Sequence, residues 1–478
     1  MFRAISVFPL ILIASSLIVL LGIMACTEST STEIHGSLIG SIELVNDSSN
    51  PSLEPEDMSG VTISLYLMMS TDSTLTRIMG EYSGIGHTST DAIIPDLRWS
   101  TPIKTTISGA DGSYLLSDLS EGVYILRYSK EGWGDEYKMD VVVDGDRDLA
   151  SLSLFPDIHL DSVINEAFTF KTNHTYYALT DVQLFQNCVF EGGSSIYLAQ
   201  GTSMNFHGEL FTNPNGSYTR FQSLESSASV KWNTLNLFSD NNQIHKVVVK
   251  DAVTAFTVHG GDTDFNDGNI AHCTNGIKIN ASTSDISRFV FDSIPARAIS
   301  YIDTENGDNT SHTIAKCIVY NSGDGVHTAG HVVNINDNYF VGNQGAIYSY
   351  QNVQDISHNC FDRNSRGVVC YGSNPEIRYN VFYTNNESVK IYYPYFLIVS
   401  DPLIEGNNFY QTTGYAVSLH PRVVASDVSA QSNYWEATVI DQIIFDSLDN
   451  QEIKYHVVYN PRALQPIEFA GIRTNDEV

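Results

Sequence analysis

The sequence has 478 residues and is strongly acidic, with 55 Asp and Glu against 25 Lys and Arg and a formal net charge of −30. Nucleic-acid binders need clustered Lys and Arg to displace counterions, so this balance argues against nucleic acid as a partner and leaves divalent cations, neutral glycans and other proteins open. Hydrophobic residues make up 42% of the chain, which is enough for sizeable cores, and the length predicts two or three domains.

The first residues follow the pattern of an export signal. One basic residue precedes an apolar run over 4–21, and small residues stand before Cys26. The tetrapeptide IMAC that ends at Cys26 resembles the lipobox at which bacterial lipoproteins are acylated and cleaved. The resemblance implies a signal peptide over 1–25, a lipidated Cys26 and a tether over 26–32. Because Thr27 rather than Asp follows the cysteine, it also implies a place at the outer membrane or cell surface. The alternative is an uncleaved membrane-spanning helix, since about 20 apolar residues span a bilayer.

The other five cysteines are scattered through the chain. An odd count without tight spacing argues against a disulfide framework or a zinc site. We expect these residues to behave as small buried hydrophobic side chains. They are Cys188, Cys273, Cys317, Cys360 and Cys370.

Residues 33–155 predict a small antiparallel β-sandwich. Apolar and polar residues alternate in short runs separated by turn residues. Asp111-Gly112 is a hairpin signal, because this pair tolerates the positive φ of a tight turn. The predicted strand runs are Ser37–Val45, Val61–Met68, Lys104–Ser108, Tyr114–Leu116, Val123–Tyr128 and Tyr137–Val143.

These motifs resemble the carboxypeptidase regulatory-like, or prealbumin-like, domain of exported bacterial proteins. The shared features are an early glycine before a strand, the DGSY turn that begins at Asp111, the GVY strand start at Gly122 and an aromatic residue after Gly132. Residues 70–103 depart from the pattern as a long insertion. The resemblance implies a spacer or adhesion module without catalytic activity.

A repeat dominates the second half of the chain. An asparagine followed two residues later by an aromatic residue recurs at steps of 21 to 27 residues, and an isoleucine stands three residues before each of the first four asparagines. Two series of residues that recur together, always three positions apart, predict a solenoid of three short strands per coil, with coils stacked about 4.8 Å apart. We call each series a ladder. The asparagines are Asn338, Asn359, Asn380, Asn407 and Asn433, and the companion positions are Ile335, Ile356, Ile377, Ile404 and Ala430.

Each repeated position has an expected role. The isoleucines and aromatic residues point inward and stack on their own copies. The asparagine marks the bend between strands, because it tolerates the left-handed conformation, and its amide bonds to the next copy. Weaker copies extend the repeat upstream to a start near Ile158, with early coils around Phe190 and Leu210. The intermediate copies are Val249, Ala271, Phe291 and Ile318.

This repeat resembles the pectin-lyase-like right-handed β-helix superfamily, in particular its repeat proteins of bacterial surfaces. The NYW triplet that begins at Asn433 resembles the closure of such domains, although Glu436 stands where the family usually has Gly. The fold class implied is all-β, with a right-handed parallel β-helix over 156–435 and a C-terminal cap and tail over 436–478. Apolar residues at helical spacing over 436–448 predict a short helix on the open end.

Catalytic motifs of that superfamily are missing from the sequence. Neither the polygalacturonase-type Asp-Asp pair and Gly-His-Gly nor the WxDH motif of pectate lyases occurs. The favoured hypothesis is therefore a surface scaffold or carbohydrate-binding protein. The alternative is a calcium-assisted lyase or hydrolase of an acidic polysaccharide, with Lys390 or a histidine as the base.

Two acidic segments suggest calcium as a possible cofactor. Asp262, Asp264 and Asp267 cluster oxygen ligands of the kind that calcium prefers, although the glycine is one position late for an EF-hand-like loop. Residues 303–308 form a second, equally loose acidic segment. For both, an ordinary solvated turn is the competing interpretation.

One outer strand face is the candidate ligand surface. If Val389 and Ile391 face inward, the strand pleat sends Lys390 and Tyr392 outward. The same logic on neighbouring coils exposes further aromatic side chains, which suit the apolar faces of sugar rings. The competing interpretation is an aromatic ladder that only stabilises the sheet. The predicted ligand-binding residues are His327, Tyr371, Lys390, Tyr392 and His420.

Overall fold

A computed structural model describes residues 35–473, apart from 47–56, 69–72, most of 88–99, 226–228, 281–282, 303–310, 330–331, 351–352, 393–399 and 422–425. The predicted signal peptide, Cys26, the tether and the acidic segment 303–308 lie outside the described residues. None of the helices in the described part is long and apolar enough to cross a lipid bilayer.

The first part of the chain forms two four-stranded sheets. The strands are β1 (His35–Leu44), β2 (Thr62–Leu67), β3 (Lys104–Ile107), β4 (Ser113–Ser120), β5 (Gly122–Lys130), β6 (Trp133–Val143), β7 (Arg147–Asp148) and β8 (Leu152–Leu154). One sheet contains β4, β1, β7 and β8, and the other has the order β3-β2-β5-β6. The neighbouring pairs β1–β4, β2–β3, β2–β5 and β5–β6 are antiparallel, whereas β7 and β8 pair with β1 in parallel. Leu38 and Leu116 of one sheet share an apolar core with Ile63 and Leu126 of the other, which makes the unit a small sandwich.

The second part is a parallel β-helix that begins at Ile158, as the repeat predicts. Its strands are β9 (Ile158–His159), β10 (Val163–Ile164), β11 (Phe168–Phe170), β12 (Thr175–Ala178), β13 (Val182–Leu184), β14 (Cys188–Phe190), β15 (Ser195–Leu198), β16 (Ser203–Phe206), β17 (Leu210–Thr212), β18 (Thr219–Ser223), β19 (Thr234–Leu237), β20 (Asn242–Lys250), β21 (Thr254–Val258), β22 (Thr263–Ala271), β23 (Asn275–Asn280), β24 (Ser284–Asp292), β25 (Arg297–Ile302), β26 (Ser311–Ala315), β27 (Ile318–Tyr320), β28 (Asp324–Ala329), β29 (Val332–Asn336), β30 (Tyr339–Val341), β31 (Gly345–Tyr350), β32 (Val353–Ser357), β33 (Cys360–Asp362), β34 (Arg366–Tyr371), β35 (Glu376–Arg378), β36 (Val381–Tyr383), β37 (Glu387–Tyr392), β38 (Leu403–Glu405), β39 (Asn408–Tyr410), β40 (Tyr415–Leu419), β41 (Val428–Ser429), β42 (Tyr434–Trp435), β43 (Ile444–Phe445) and β44 (Val457–Val458).

Three strands make one regular coil. The strands β31, β32 and β33 pair in parallel with β34, β35 and β36 of the next coil. The first strand of each coil belongs to a thirteen-stranded sheet that runs from β10 to β43, and most of the others belong to a twenty-one-stranded sheet. Every backbone group in the stack can therefore pair with the coil before and after it.

The inward ladders confirm the predicted stacking. Consecutive rings of Phe340, Phe361, Phe382, Phe409 and Trp435 lie 4.5 to 5.3 Å apart with interplanar angles of 6 to 8°. The four repeat isoleucines and Ala430 are fully buried. The register of the upstream copies differs from the prediction. Phe291 pairs with Val319 and Ile270, whereas Ile318 and Ala271 each lie one residue away in the register.

The repeat asparagines form the predicted amide ladder, but they do not occupy the left-handed bend position. Asn338, Asn359, Asn380 and Asn407 each donate from Nδ2 to Oδ1 of the next asparagine over 3.0 Å, as predicted. The left-handed conformation, however, belongs to the residue before the asparagine, for example His358 at φ 56°. The amide ladder, rather than the bend, therefore requires asparagine here. A second ladder, through Asn343, Asn364 and Asn385, was not predicted.

The insertion and the C-terminal tail both lie on the twenty-one-stranded sheet. The insertion contains a helix that was not predicted, α1 (Ser73–Glu81), whose Leu75 and Ile78 pack with Ile318 and Tyr339 of the β-helix. The tail adds Ile472 to the same cluster. The predicted cap over 436–448 is a short 3-10 helix, Ile440–Ile443, and the strand β43, which continues the thirteen-stranded sheet. The five described cysteines are buried and unpaired, as expected.

Candidate functional site

The candidate surface is the outer face of the thirteen-stranded sheet. Val389 and Ile391 are fully buried, so Lys390 and Tyr392 between and after them point outward, as predicted. The pairing register carries this alternation from coil to coil. All five predicted ligand-binding residues therefore lie on one face.

The five residues fall into two adjacent rows. An outer row aligns Tyr350, Tyr371 and Tyr392, and the backbone amide of His420 extends it by donating to Ile391 O over 2.9 Å. We call Tyr350, Tyr371, Tyr392 and His420 the downstream ladder. A second row, two positions earlier on each strand, contains His327, Tyr348, Val369, Lys390 and Ser418.

The downstream ladder changes its ring geometry along its length. Tyr350 and Tyr371 are stacked at 4.4 Å with an interplanar angle of 2°. Tyr371 meets Tyr392 edge-on at 61°, and Tyr392 meets His420 at 52°. Tilted rings do not stack face to face, and one face of the Tyr392 ring has Lys390 Nζ over it, 5.9 Å from the ring centroid. Burial raises the pKa of Tyr371 above its ordinary value, which keeps its hydroxyl protonated and able to donate.

A charged network lies beside the ladder. Lys390 Nζ donates to both carboxylate oxygens of Glu387 over 2.9 Å, and Arg366 Nε donates to the same carboxylate over 3.4 Å. Ser418 Oγ donates to Glu387 Oε1 over 3.2 Å. These contacts fix the polar groups next to the rings. Because the Lys390 amine is already a donor to both oxygens, it is poorly placed to take a proton from a substrate.

The alternative predicted base is a histidine, and His327 is one of the two histidines among the predicted ligand-binding residues. Its ring lies 4.8 Å from that of Tyr350, and burial, with a smaller contribution from the Arg297 guanidinium, lowers the pKa of His327 to about 4. The imidazole is therefore neutral near pH 7. A group with so low a pKa is a weak general base at that pH.

The predicted calcium cluster is not assembled. Residues 263–271 form the strand β22 rather than a loop, so its side chains diverge. Asp264 is exposed and faces His245 at 3.8 Å, whereas Asp267 is buried and accepts a hydrogen bond from the Tyr218 hydroxyl. Within the part of the chain that the structure describes, no three His, Cys, Asp or Glu residues are grouped to hold a metal.

The sequence reasoning missed other members of the surface. Tyr350 precedes Tyr371 by the same 21 residues that separate Tyr371 from Tyr392, so the spacing could have identified it. The outer row also continues toward the start of the β-helix, where Phe185, His207, Phe238 and His259 stack in sequence. We call these four residues the upstream ladder. No comparable spacing identifies them, because their coils differ in length.

Comparison with known proteins supports the fold. A family model described as right handed beta helix region matches residues 275–423, which include all four members of the downstream ladder. This match, together with the pairing of the strands, identifies the solenoid as a right-handed parallel β-helix. No curated protein matches the chain significantly in sequence.

One solved structure matches, the family 28 exopolygalacturonase of Yersinia enterocolitica. The alignment has 9% identity and a TM-score of 0.24, and it covers 76% of this chain and 85% of the enzyme chain. This similarity is too low to support an argument about function.

Proposed function

We propose that this protein binds an extended polysaccharide along the outer face of the thirteen-stranded sheet, and that acyl chains on Cys26 hold it at the bacterial cell surface. The observation that supports the first proposal is the in-register row of Tyr350, Tyr371, Tyr392 and His420. A surface protein of the host or of another cell is the other partner class for the same face.

The spacing of the row suits a polymer with a repeating unit. Equivalent side chains on stacked coils repeat about every 4.8 Å, so one ligand chain that lies along the row meets the same side chain again at each coil. Sugars present apolar C–H faces and hydroxyl groups together. The Tyr392 ring face that Lys390 does not cover matches the first, and the fixed Glu387 and Lys390 groups match the second.

The binding test uses two matched double variants. Tyr371→Ala with Tyr392→Ala should lower retention on immobilised polysaccharides by roughly 30- to 150-fold, because two aromatic contacts of about 1 to 1.5 kcal/mol each are lost. Tyr410→Ala with Tyr434→Ala is the control, since these half-buried tyrosines lie on the other sheet. If the first pair changes only thermal stability, the downstream ladder is structural and the proposal is wrong.

The same incubations separate binding from cleavage. Acidic polysaccharides incubated with the wild-type protein, with and without calcium, are monitored for new unsaturated ends by their ultraviolet absorbance. We expect retention without new ends, because Lys390 is engaged by Glu387 and the described residues contain no assembled metal cluster. New ends that require calcium would instead support the lyase hypothesis.

The anchor has its own test. Cys26→Ala should move the protein from the membrane fraction to the soluble fraction, because stable anchoring requires more than one acyl chain and this variant can receive none at that position. Unchanged membrane association of the variant would support a spanning helix over 4–21 instead.

A further inference from the structure

A groove lies between α1 and the bends of the twenty-one-stranded sheet. None of the candidate ligand-binding residues of the thirteen-stranded sheet lines it. Helix α1 packs over Tyr339 and Cys360, and the neighbouring residues Val381 and Tyr383 form the open side of the groove. The cavity volume is about 660 Å³. Ligand-binding clefts for small molecules measure about 300 to 1,000 Å³.

A buried carboxylate forms the floor. The Asp362 side chain is only 11% exposed, and it accepts hydrogen bonds from Arg363 Nη2 over 3.0 Å and Nε over 3.2 Å. Thr384 Oγ1 and the Tyr339 hydroxyl each donate to it over 3.4 Å. These contacts hold the Arg363 guanidinium, which is more exposed, directly beside the carboxylate on the floor.

Helix α1 supplies a second ion pair on the opposite wall. Arg77 Nη1 lies 2.6 Å from Glu81 Oε2, and its Nη2 lies 4.0 Å from Asp362 Oδ2. The Arg77 side chain is 43% exposed and that of Arg363 is 55% exposed, so both guanidinium groups remain accessible to a ligand. The groove therefore has a guanidinium–carboxylate pair on α1 and another on the sheet side.

An aromatic ring completes the groove. Tyr383 is 40% exposed, and its ring is tilted by 33° from that of Tyr410 at a distance of 5.2 Å. The tilt leaves part of the Tyr383 face uncovered. An apolar face beside paired donors and acceptors matches a ring that has C–H groups on one side and neighbouring hydroxyl groups at its edge.

The charges select the class of ligand. Two guanidinium groups and two carboxylates line the groove, so its formal charges cancel, and each guanidinium already has a carboxylate partner. An anionic ligand would also approach a protein of formal net charge −30 against its field. We infer that this groove binds one neutral sugar residue, either a free monosaccharide or the end of a glycan chain. This site is separate from the polymer-binding face proposed above.

Neutral methyl glycosides of glucose, galactose and mannose, with galacturonate for comparison, are the probes for this inference. Binding to the full chain is followed by titration calorimetry and by ligand-observed magnetic resonance. We expect saturable binding of at least one neutral glycoside and weaker binding of galacturonate. Tyr383→Ala should weaken that binding at least about 10-fold, whereas Tyr383→Phe retains it, since the ring face provides the contact.

Matched controls keep the result interpretable. Tyr379→Ala removes a tyrosine that is equally 40% exposed, in the bend just before the strand of Tyr383, but does not line the groove, and it should leave binding unchanged. Asp362→Asn should also weaken binding, and its thermal unfolding reports whether the bend itself is intact. The Tyr371 and Tyr392 double variant should bind the monosaccharide normally, which separates this site from the polymer surface. Absence of saturable neutral-sugar binding, or preference for galacturonate, would overturn the inference.

Discussion

The outer row of the thirteen-stranded sheet contains two aromatic ladders with different geometries. In the upstream ladder, neighbouring rings lie 4.4 to 4.8 Å apart and are nearly parallel, with interplanar angles of 9 to 10°. In the downstream ladder, the last two contacts are tilted by 61° and 52°. Parallel rings cover each other's faces and stabilise the sheet, whereas tilted rings leave faces available. The same row therefore serves packing at one end and suits a ligand at the other.

The interiors beneath the two ladders also differ. Downstream coils contain the asparagine ladder that runs from Asn338 to Asn433. In the coils of the upstream ladder, the equivalent positions are Gly268, Val247 and Thr219, which cannot form it. Amides that bond from coil to coil specify one register for the downstream coils. The same register aligns the tyrosines of the downstream ladder on the thirteen-stranded sheet.

The largest effect is expected from breaking the downstream interior. Asn359→Ala removes a fully buried amide that accepts from Asn338 N and Nδ2 and donates to Asn380 Oδ1, Ile335 O and Ser357 O. The buried Asn338 N loses its acceptor and each of the other buried partners loses one hydrogen bond, so we expect the free energy of unfolding to fall by about 3 to 5 kcal/mol. Urea unfolding followed by circular dichroism measures this loss.

An exposed asparagine provides the control. Asn374 accepts a single hydrogen bond, from Asp401 N over 2.6 Å, and Asn374→Ala should cost at most about 1 kcal/mol. The Asn359 variant should retain polysaccharide binding at temperatures where it is folded, because its side chain does not reach the outer face. Equal stability losses for the two variants would contradict the role given to the amide ladder.

The sequence was sufficient to predict the solenoid, because the asparagine and isoleucine positions keep one offset even where the step between copies changes from 21 to 27 residues. It was insufficient for the upstream register, because the paired residues are separated by 319 − 291 = 28 and 291 − 270 = 21 residues, one more in each step than between the predicted copies. Helix α1 escaped prediction because Leu75 and Ile78 are stabilised by residues such as Ile318 that are remote in the sequence. Pattern reasoning within a short window does not detect such contacts.

The candidate surfaces were predictable to different extents. The pleat alone placed Lys390 and Tyr392 outward, and the repeat then added Tyr371. Ring tilt depends on neighbouring side chains, so no sequence pattern distinguishes a closed ladder from an open one. The groove beside Asp362 joins residues of α1 to bends almost 300 positions later, and only the folded chain brings them together.

A smaller effect is expected from the upstream ladder. Phe238 is 41% exposed and lies between His207 at 4.8 Å and His259 at 4.4 Å. Phe238→Ala removes both ring contacts and should lower the free energy of unfolding by about 1 to 2.5 kcal/mol. Phe469→Ala, a phenylalanine that is 66% exposed in the tail, is the control and should change it by less than about 0.5 kcal/mol. If Phe238→Ala impairs polysaccharide retention without loss of stability, both ladders bind ligand and the contrast drawn above is wrong.

The smallest effect concerns the pH dependence of His327, in the row beside the downstream ladder. Burial, with a smaller contribution from Arg297, lowers the pKa of His327 to about 4, and its Nδ1 is buried without a hydrogen-bond partner among the described residues. Between about pH 6.5 and pH 4 the unfolded chain binds a proton at this residue that the folded chain does not. Stability should therefore be lost as the pH falls through this window. Since burial also lowers the pKa of His87 to about 4 and lowers the pKa of His245 and His259, the wild-type protein has other sources of the same slope, and the comparison must be made between variants. His327→Gln should reduce the drop in Tm between about pH 7 and about pH 5 by roughly 2 °C. An identical drop in the variant would mean that His327 titrates alike in the folded and unfolded chain, and that the ladder surface is more hydrated than its packing indicates.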